Sequence, residues 1–296
     1  MKNLSILLFL VLFCVAGCKN ASQEQEHQAT IPEKPIFSLT EIWATDTLMT
    51  TCESVIFDKE RNVIYVSNIN SGPADKDGNG FISKLSPDGE ILSLKWITEI
   101  SAPKGLGIDK GLLYVTDIDE LVIIDIEEGE IIQKFPVEGS SFLNDLDIDS
   151  EGVIYITDSN TGKIHKYKNG EISDWITEGL KRPNGLFIEK DRILLTTSEG
   201  QVLRSIDPST AEMKVLTSEI GRGDGVRFTG IEGYYLISDW SGEIFLIDPD
   251  YNKISLLNTK EQNKNTADFA FNMKEKVIYV PTFFDNRVVA YKLEIK

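Results

Sequence analysis

The chain has 296 residues, of which 41% are hydrophobic and 26% charged, a composition typical of a folded protein rather than a disordered or collagen-like one. Its 47 acidic residues outnumber its 30 Lys and Arg residues, so the formal net charge is −17. Because binding to phosphate backbones requires a cationic surface, this charge argues against a nucleic-acid partner. Only three cysteines are present, two of them within the first 18 residues, which excludes a disulfide framework.

The first 34 residues have the pattern of an export signal followed by a polar tether. Lys2 precedes an apolar run over residues 4–15 that is too short to cross a bilayer comfortably. The sequence Val-Ala-Gly then leads directly to Cys18, an ending that resembles the lipobox of bacterial lipoproteins. That resemblance implies a signal peptide over residues 1–17, acylation of Cys18 and residence at the cell envelope, on the outer membrane or the cell surface. A plain secretory signal with an incidental Cys18 is the alternative. Residues 18–34 are polar and predict the tether.

From about residue 35 onward the chain consists of β-rich repeats. Six segments each place one polar residue directly before an apolar strand, and these residues are Glu53, Lys104, Asn144, Asn184, Asp224 and Asp268. Their spacings of 51, 40, 40, 40 and 44 residues indicate one supersecondary unit per repeat. Within the repeats, β-branched runs and short alternating segments predict four strands and no helix. The sequence therefore predicts an all-β, six-bladed β-propeller with four antiparallel strands per blade over residues 35–296.

The two ends of this region predict how the ring closes. The sixth repeat finishes with a strand at residues 287–291 and lacks a fourth strand, whereas residues 36–43 form an isolated strand ahead of the first repeat. Pairing these two strands removes two exposed sheet edges, which would otherwise promote aggregation. We therefore expect the N-terminal strand to complete the last blade. We also expect the protein to be a monomer.

The first repeat is about ten residues longer than the others, and the surplus contains Asp-Lys-Asp-Gly-Asn-Gly at residues 75–80. The alternate residues Asp75, Asp77 and Asn79 match the start of an EF-hand calcium loop. The twelfth position is Ser86, however, instead of the bidentate Glu that completes such a loop. We prefer to interpret this segment as a glycine-rich turn on the propeller rim, and a second calcium site is the alternative.

The polar residues ahead of the six inner strands are expected to meet around the axis, because the innermost strands of a propeller surround its central channel. Carboxylates crowded there are costly unless a cation neutralises them. Carboxylate and amide oxygens suit Ca²⁺ better than Zn²⁺, which prefers His or Cys, and the only histidines, His27 and His165, lie elsewhere. The alternative is that Lys104 pairs with Asp224 or Asp268 and that the asparagines only bond one blade to the next.

These motifs resemble a known family of six-bladed propellers. The Glu at the first inner strand, the Asn-Asp of the third repeat, the Pro-Asn-Gly-Leu of the fourth and the Asp-Gly of the fifth are similar to the gluconolactonase, regucalcin and luciferin-regenerating-enzyme family. The resemblance covers about residues 46–296. The chain departs from the family pattern at Ser54-Val55, where Gly-Pro is usual, and at Lys104, which stands in place of a substrate-binding Arg.

The resemblance implies that Glu53, Asn184 and Asp224 bind one divalent cation, most simply Ca²⁺, and that Asn144 contacts the substrate. The implied activity is Ca²⁺-dependent hydrolysis of a lactone or similar cyclic ester, with Asp224 as general base.

Lys104 and Asp268 are further candidates for substrate contact. The partners implied are a small lactone-like molecule and, through the lipid anchor only, a membrane. The alternative is a non-catalytic envelope propeller that binds a protein or glycan and has a structural metal in its hub.

We predict that Cys18 anchors the protein to a membrane through acyl chains. The Cys18→Ala variant should lose both acylation and its place in the membrane fraction, because the acyl chains are attached at that residue. Fatty-acid labelling and fractionation measure both, and Cys14→Ala, which changes a cysteine within the signal, is the control. A Cys18→Ala protein that still carries acyl chains and still sediments with membranes contradicts the prediction.

Overall fold

The computed structural model describes residues 34–296, and the predicted signal, Cys18 and most of the predicted tether lie outside the described residues. The described chain forms six four-stranded antiparallel sheets and one short 3₁₀ helix, Lys260–Gln262. No helix in this part of the chain is long and apolar enough to cross a membrane. The predicted all-β propeller of six blades is confirmed.

Each sheet is one blade, and its strands run in order from the axis outwards. The innermost strands are β2 (Cys52–Asp58), β6 (Pro103–Asp109), β10 (Leu143–Ile148), β14 (Pro183–Ile188), β18 (Gly223–Phe228) and β22 (Ala270–Asn272). The second strands are β3 (Val63–Asn68), β7 (Leu112–Asp117), β11 (Ile154–Asp158), β15 (Ile193–Thr197), β19 (Tyr235–Asp239) and β23 (Val277–Pro281). The third strands are β4 (Gly80–Leu85), β8 (Glu120–Asp125), β12 (Lys163–Lys168), β16 (Val202–Ile206), β20 (Glu243–Ile247) and β24 (Val288–Ile295). The outermost strands are β5 (Ile91–Ile100), β9 (Glu130–Pro136), β13 (Glu171–Ile176), β17 (Met213–Ser218), β21 (Lys253–Asn258) and β1 (Phe37–Ala44).

The inner strands approach one another closely, and glycine makes this approach possible. A Cβ atom on Gly105 would lie 2.6 Å from the carbonyl oxygen of Asn144, and one on Gly185 would lie 2.0 Å from that of Asp224. Both distances are far shorter than van der Waals contact, so a larger residue would push the blades apart. The glycines of the Lys-Gly and Asn-Gly pairs are therefore needed for the inner strands of neighbouring blades to pack this closely.

The hydrophobic core of the described residues contains seven clusters, six of which each lie between two neighbouring blades. Tryptophans of three outermost strands contribute to these clusters. The Trp96 ring lies 4.8 Å from that of Tyr65, and the Trp175 ring lies 4.9 Å from that of Tyr155. Each pair lies within one blade and belongs to an apolar cluster that also contains side chains of the next blade.

The ring closes through the N-terminal strand, as predicted. β1 pairs antiparallel with β24 from Phe37 opposite Ile295 to Ala44 opposite Val289, with a bulge between Glu41 and Trp43. Phe37 is 9% exposed and packs against the fifth blade, while Trp43 stacks on Tyr279 at 5.8 Å. The two ends of the propeller are thus joined by both hydrogen bonds and buried side chains.

We predict that deletion of residues 35–45 destabilises the fold, whereas deletion of residues 19–33 does not. The first deletion exposes one edge of β24 and removes the apolar contacts of β1, so the melting temperature should fall by roughly 5 °C or more. Differential scanning calorimetry of the two truncated proteins and the parent measures this. Equal melting temperatures for all three would show that β1 does not close the ring.

Candidate functional site

A cavity of about 330 Å³ lies where the inner strands begin, and it contains most of the predicted ring. Five of the six predicted positions line it, namely Glu53, Lys104, Asn144, Asn184 and Asp224. All five side chains belong to residues that are between 1% and 7% exposed. The repeat therefore brings together polar groups from five different blades, and they form a cavity floor with little solvent exposure.

Asp268 is the exception, because the sixth repeat is shifted by one residue. Its backbone forms a parallel bridge with Ser54, the residue after Glu53, so Asp268 lies one step beyond the ring. Successive strand residues point to opposite sides, and this shift moves the carboxylate out of the cavity lining. Ala267 occupies the ring position in the sixth blade and is fully buried. The sixth position of the ring is consequently apolar.

Hydroxyl groups at the ends of the second strands hold the ring residues in place. Thr196 donates a hydrogen bond to the carbonyl oxygen of Asp224, and Ser238 donates one to that of Ala267 at 3.0 Å, each from the preceding blade. The Asn144 amide donates to Ser159 at 3.1 Å. In blades one to five, a Ser or Thr stands directly before the last residue of the second strand. This recurring hydroxyl residue could have predicted these hydrogen bonds from the sequence, but our sequence analysis did not use it.

The floor contains buried oxygens that lack partners. Within residues 34–296, no hydrogen bond reaches Glu53 Oε2, Asn184 Oδ1 or either carboxylate oxygen of Asp224. Burial raises the pKa of Glu53 to about 8, and repulsion from Asp268 contributes. Burial likewise raises the pKa of Asp224 well above its usual range, with repulsion from Glu53 adding to it and Arg222 opposing it. A positive partner would therefore favour the ionised form of both carboxyl groups.

Lys104 attracts Glu53 and is a candidate for that partner, but it is not paired with a carboxylate in residues 34–296. Its Nζ donates to the carbonyl oxygen of Ala102 at 2.9 Å and lies 4.4 Å from the centre of the Phe142 ring. In the described part of the chain, no carboxylate oxygen lies within 4.0 Å of Nζ. Burial lowers the pKa of Lys104 to about 8, against the attraction of Glu53. The expected alternative, direct pairing of Lys104 with Asp224 or Asp268, does not occur.

A second charged group fills the channel further along the inner strands. Arg227 donates to both carboxylate oxygens of Asp268 at 2.9 and 3.0 Å, and Ser54 donates to the same carboxylate at 2.7 Å. Burial raises the pKa of Asp145 well above its usual range and that of Asp147 to about 6, while Arg227 opposes both shifts. Arg227 is thus the cation of a hub cluster formed with Asp145, Asp147 and Asp268. The sequence analysis missed this residue.

Two further sets of residues form the walls of the cavity. The first set stands two positions before the ring residues and comprises Thr51, Phe142, Arg182 and Arg222. The second set comprises Ile69, Ser198 and Trp240, which directly follow second strands, and Phe283, which stands two residues after one. Both sets recur in phase with the repeat. Because strand residues two positions apart point to the same side, counting back two residues from the predicted ring would have identified the first set.

The other candidates lie elsewhere. The Asp77 carboxylate accepts hydrogen bonds from the backbone N–H of Asn79 at 3.2 Å and from its side-chain amide at 2.6 Å, within an exposed turn between β3 and β4. His165 is fully buried in β12, and its Nδ1 lies 2.8 Å from Asp174. Across residues 34–296, no group of three or more His, Cys, Asp or Glu side chains is placed to hold a metal ion.

The donor set of the cavity floor nevertheless fits one hard cation, because it mixes two carboxylates with an amide. Glu53, Asn184 and Asp224 present four buried oxygens that accept hydrogen bonds and have no donor within residues 34–296. Leaving such groups buried and unpaired is costly, and oxygen ligands of this kind are those that Ca²⁺ prefers. The polar groups that a cation would satisfy are thus in one place.

Solved structures with this fold match most of the chain at low sequence identity. No protein-family model and no curated protein matches it. A gluconolactonase from Xanthomonas campestris is similar with a TM-score of 0.64 and 14% identity, covering 83% of this chain and 86% of that one. A catalytically inactive virginiamycin B lyase from Staphylococcus aureus, solved with quinupristin, has a TM-score of 0.61 and 14% identity, covering 87% and 99%. At these identities the likeness establishes a shared six-bladed propeller fold, as the resemblance implied.

We predict that Arg227→Met destabilises the protein by roughly 2–4 kcal/mol, because it removes the cation from the buried carboxyl groups of Asp145 and Asp268 and from the half-buried one of Asp147. Lys110→Met removes a cation from an exposed ion pair and should change stability by less than about 1 kcal/mol. Urea unfolding of both variants gives the two values. Equal effects of the two substitutions would show that the hub cluster does not depend on Arg227.

Proposed function

We propose that this protein is a hydrolase of lactones or similar cyclic esters that uses one divalent cation, most simply Ca²⁺. The observation that supports the proposal best is the set of buried oxygens without partners at the floor of an open cavity. The neighbouring folds include a gluconolactonase, which agrees with this chemistry.

Glu53, Asn184 and Asp224 would hold the cation. When bound, it would supply a Lewis acid that polarises the substrate carbonyl and stabilises negative charge on its oxygen. It would also favour the ionised forms of Glu53 and Asp224, whose pKa values burial otherwise raises. The charge of one cation would thus both polarise the substrate carbonyl and keep the two carboxyl groups ionised.

Asp224 would act as general base, because its carboxylate oxygens have no hydrogen-bond donor within residues 34–296 to compete for them. It would accept a proton from water as the water oxygen bonds to the carbonyl carbon. The ring C–O bond then breaks, and the proton returns to the departing alkoxide, so that the product is a hydroxy acid. Asp268 has no part in this step, since its carboxylate is bound to Arg227 and Ser54.

Other cavity residues would position the ester and its product. The Asn144 amide is held by Ser159 and can orient the substrate from the floor. Lys104 and the guanidinium groups of Arg182 and Arg222 supply positive charge on the cavity walls. In a protein of net charge −17, these groups give the carboxylate of the product a local counter-charge.

We predict that Ca²⁺ raises the melting temperature of the chelated protein. At a hundredfold excess over Kd the gain is about 2.7 kcal/mol, equivalent to roughly 5–10 °C for a protein of this size. Asp224→Asn should abolish both the shift and lactone hydrolysis, while Asn144→Ala should lower hydrolysis and leave the shift intact. Asp191→Asn, in an exposed turn, is the matched control and should behave like the parent.

Calorimetry on chelated protein and a panel of small lactones measure these effects. The absence of both binding heat and a thermal shift at millimolar Ca²⁺ would contradict the metal site and the hydrolase that depends on it. A shift without turnover would instead support a binding propeller with a structural metal. Hydrolysis in ¹⁸O-labelled water places label in the product carboxylate, whereas elimination, as in a lyase, does not.

A further inference from the structure

We propose that the substrate is a lactone whose ring carries an apolar acyl or aryl substituent, rather than a polyhydroxylated sugar lactone. The inference rests on the proposed function and adds the substrate class. Its starting observation is that the cavity walls are not alike around the ring. Trp240, Phe283 and Phe284 form an aromatic wall at the fifth and sixth blades, and the Arg222 guanidinium lies 4.2 Å from the centre of the Trp240 ring. The fourth blade instead contributes the cationic Arg182 and the polar Ser198.

The aromatic wall consists of three rings in mutual contact. Trp240 and Phe283 meet edge to face at 5.2 Å, and Phe283 and Phe284 do so at 4.8 Å. Trp240 also contacts Phe284 at 6.0 Å. Phe284 is 64% exposed at the same cavity whose floor consists of buried residues. An exposed ring continuous with the buried Phe283 and the half-buried Trp240 is a surface that an apolar ligand group can cover.

The apolar character of this wall continues to the floor. Phe283 packs in one buried cluster with Ile69, Ala102, Ile118 and Ala267. Ala267 is the sixth ring position, where the other five blades have polar residues. A ligand group that lies against this wall therefore meets no polar side chain from the sixth blade, whereas a hydroxyl group placed there would lose its hydrogen bonds to water.

The loop that carries the two phenylalanines is held in place. Phe283 adopts a φ of 49°, a left-handed conformation that is unfavourable for a bulky residue. The backbone N–H of Asn286 donates a hydrogen bond to the Phe283 carbonyl oxygen at 3.1 Å. The backbone N–H of Thr51 in turn donates one to the Asn286 side-chain oxygen at 2.8 Å. Such strain persists where surrounding contacts enforce it, and it occurs often at ligand sites.

The cavity also has the size for a substituted ring. Its volume of about 330 Å³ falls within the range of roughly 300–1,000 Å³ that is usual for sites of drug-sized ligands. The floor takes the ester group, and the remaining space extends along the aromatic wall towards Phe284. Each methylene group that a substituent buries there should improve binding by about fourfold.

The test compares three lactones: γ-butyrolactone, the same ring with a hexyl substituent, and glucono-δ-lactone. With the parent protein and Ca²⁺, we expect kcat/KM for the hexyl lactone to exceed that for each of the others by at least about tenfold. Phe284→Ala should reduce this preference at least about threefold. Ile132→Ala removes an equally exposed apolar side chain from β9, far from the cavity, and should change nothing.

Binding of N-hexylpyrrolidinone, which resembles the hexyl lactone but is not hydrolysed, separates this inference from the proposed function. Calorimetry should detect binding to the parent and at least about threefold weaker binding to Phe284→Ala. If no lactone is hydrolysed while the lactam still binds in this way, the hydrolase is wrong and the apolar site stands. Equal kcat/KM for all three lactones, a preference for glucono-δ-lactone, or lactam binding unaffected by Phe284→Ala overturns the inference.

Discussion

The close convergence of six inner strands on one axis is the constraint on which the rest of this structure depends. It places carboxyl groups from separate blades in a narrow, dry space, where burial and mutual repulsion both raise their pKa values. Inside the hub, Arg227 supplies a cation for Asp145, Asp147 and Asp268. At the cavity floor, Arg222 opposes the pKa shift of Asp224 from a distance, and Lys104 bonds to a carbonyl oxygen instead of a carboxylate.

This difference between two levels of the channel separates a structural site from a candidate active site. The hub carboxylates have donors: Ser54 and Arg227 bind Asp268, and the backbone N–H of Leu186 binds Asp145 at 2.7 Å. Such a cluster is satisfied and rigid, and it fixes where the inner strands lie. The floor, by contrast, has buried acceptor oxygens without donors in residues 34–296, in a cavity that a small molecule can reach. Unsatisfied buried acceptors of this kind call for a ligand or an ion.

Blade identity then decides the character of the walls. The first, fourth and fifth blades deliver residues to all three levels of the cavity, but their chemistry changes around the ring, from Phe283 and Ile69 on one side to Arg182 and Ser198 on the other. Under the proposed function, these differences would favour one orientation of an ester that has one apolar end. The neighbouring propellers, which include a gluconolactonase and lyases, indicate that the fold accommodates different chemistries.

The sequence by itself determined the number of blades, their strands, the closing role of β1 and five of the six cavity positions, because a 40-residue period and strand alternation are local properties. It did not determine the phase of the sixth repeat, where the pairing of Asp268 with Ser54 is set by contact between distant segments. Nor did it reveal that Arg227 neutralises the hub or that Lys104 leaves the floor carboxylates unpaired. Those outcomes depend on which charged groups meet across the axis, and only the tertiary structure brings them together.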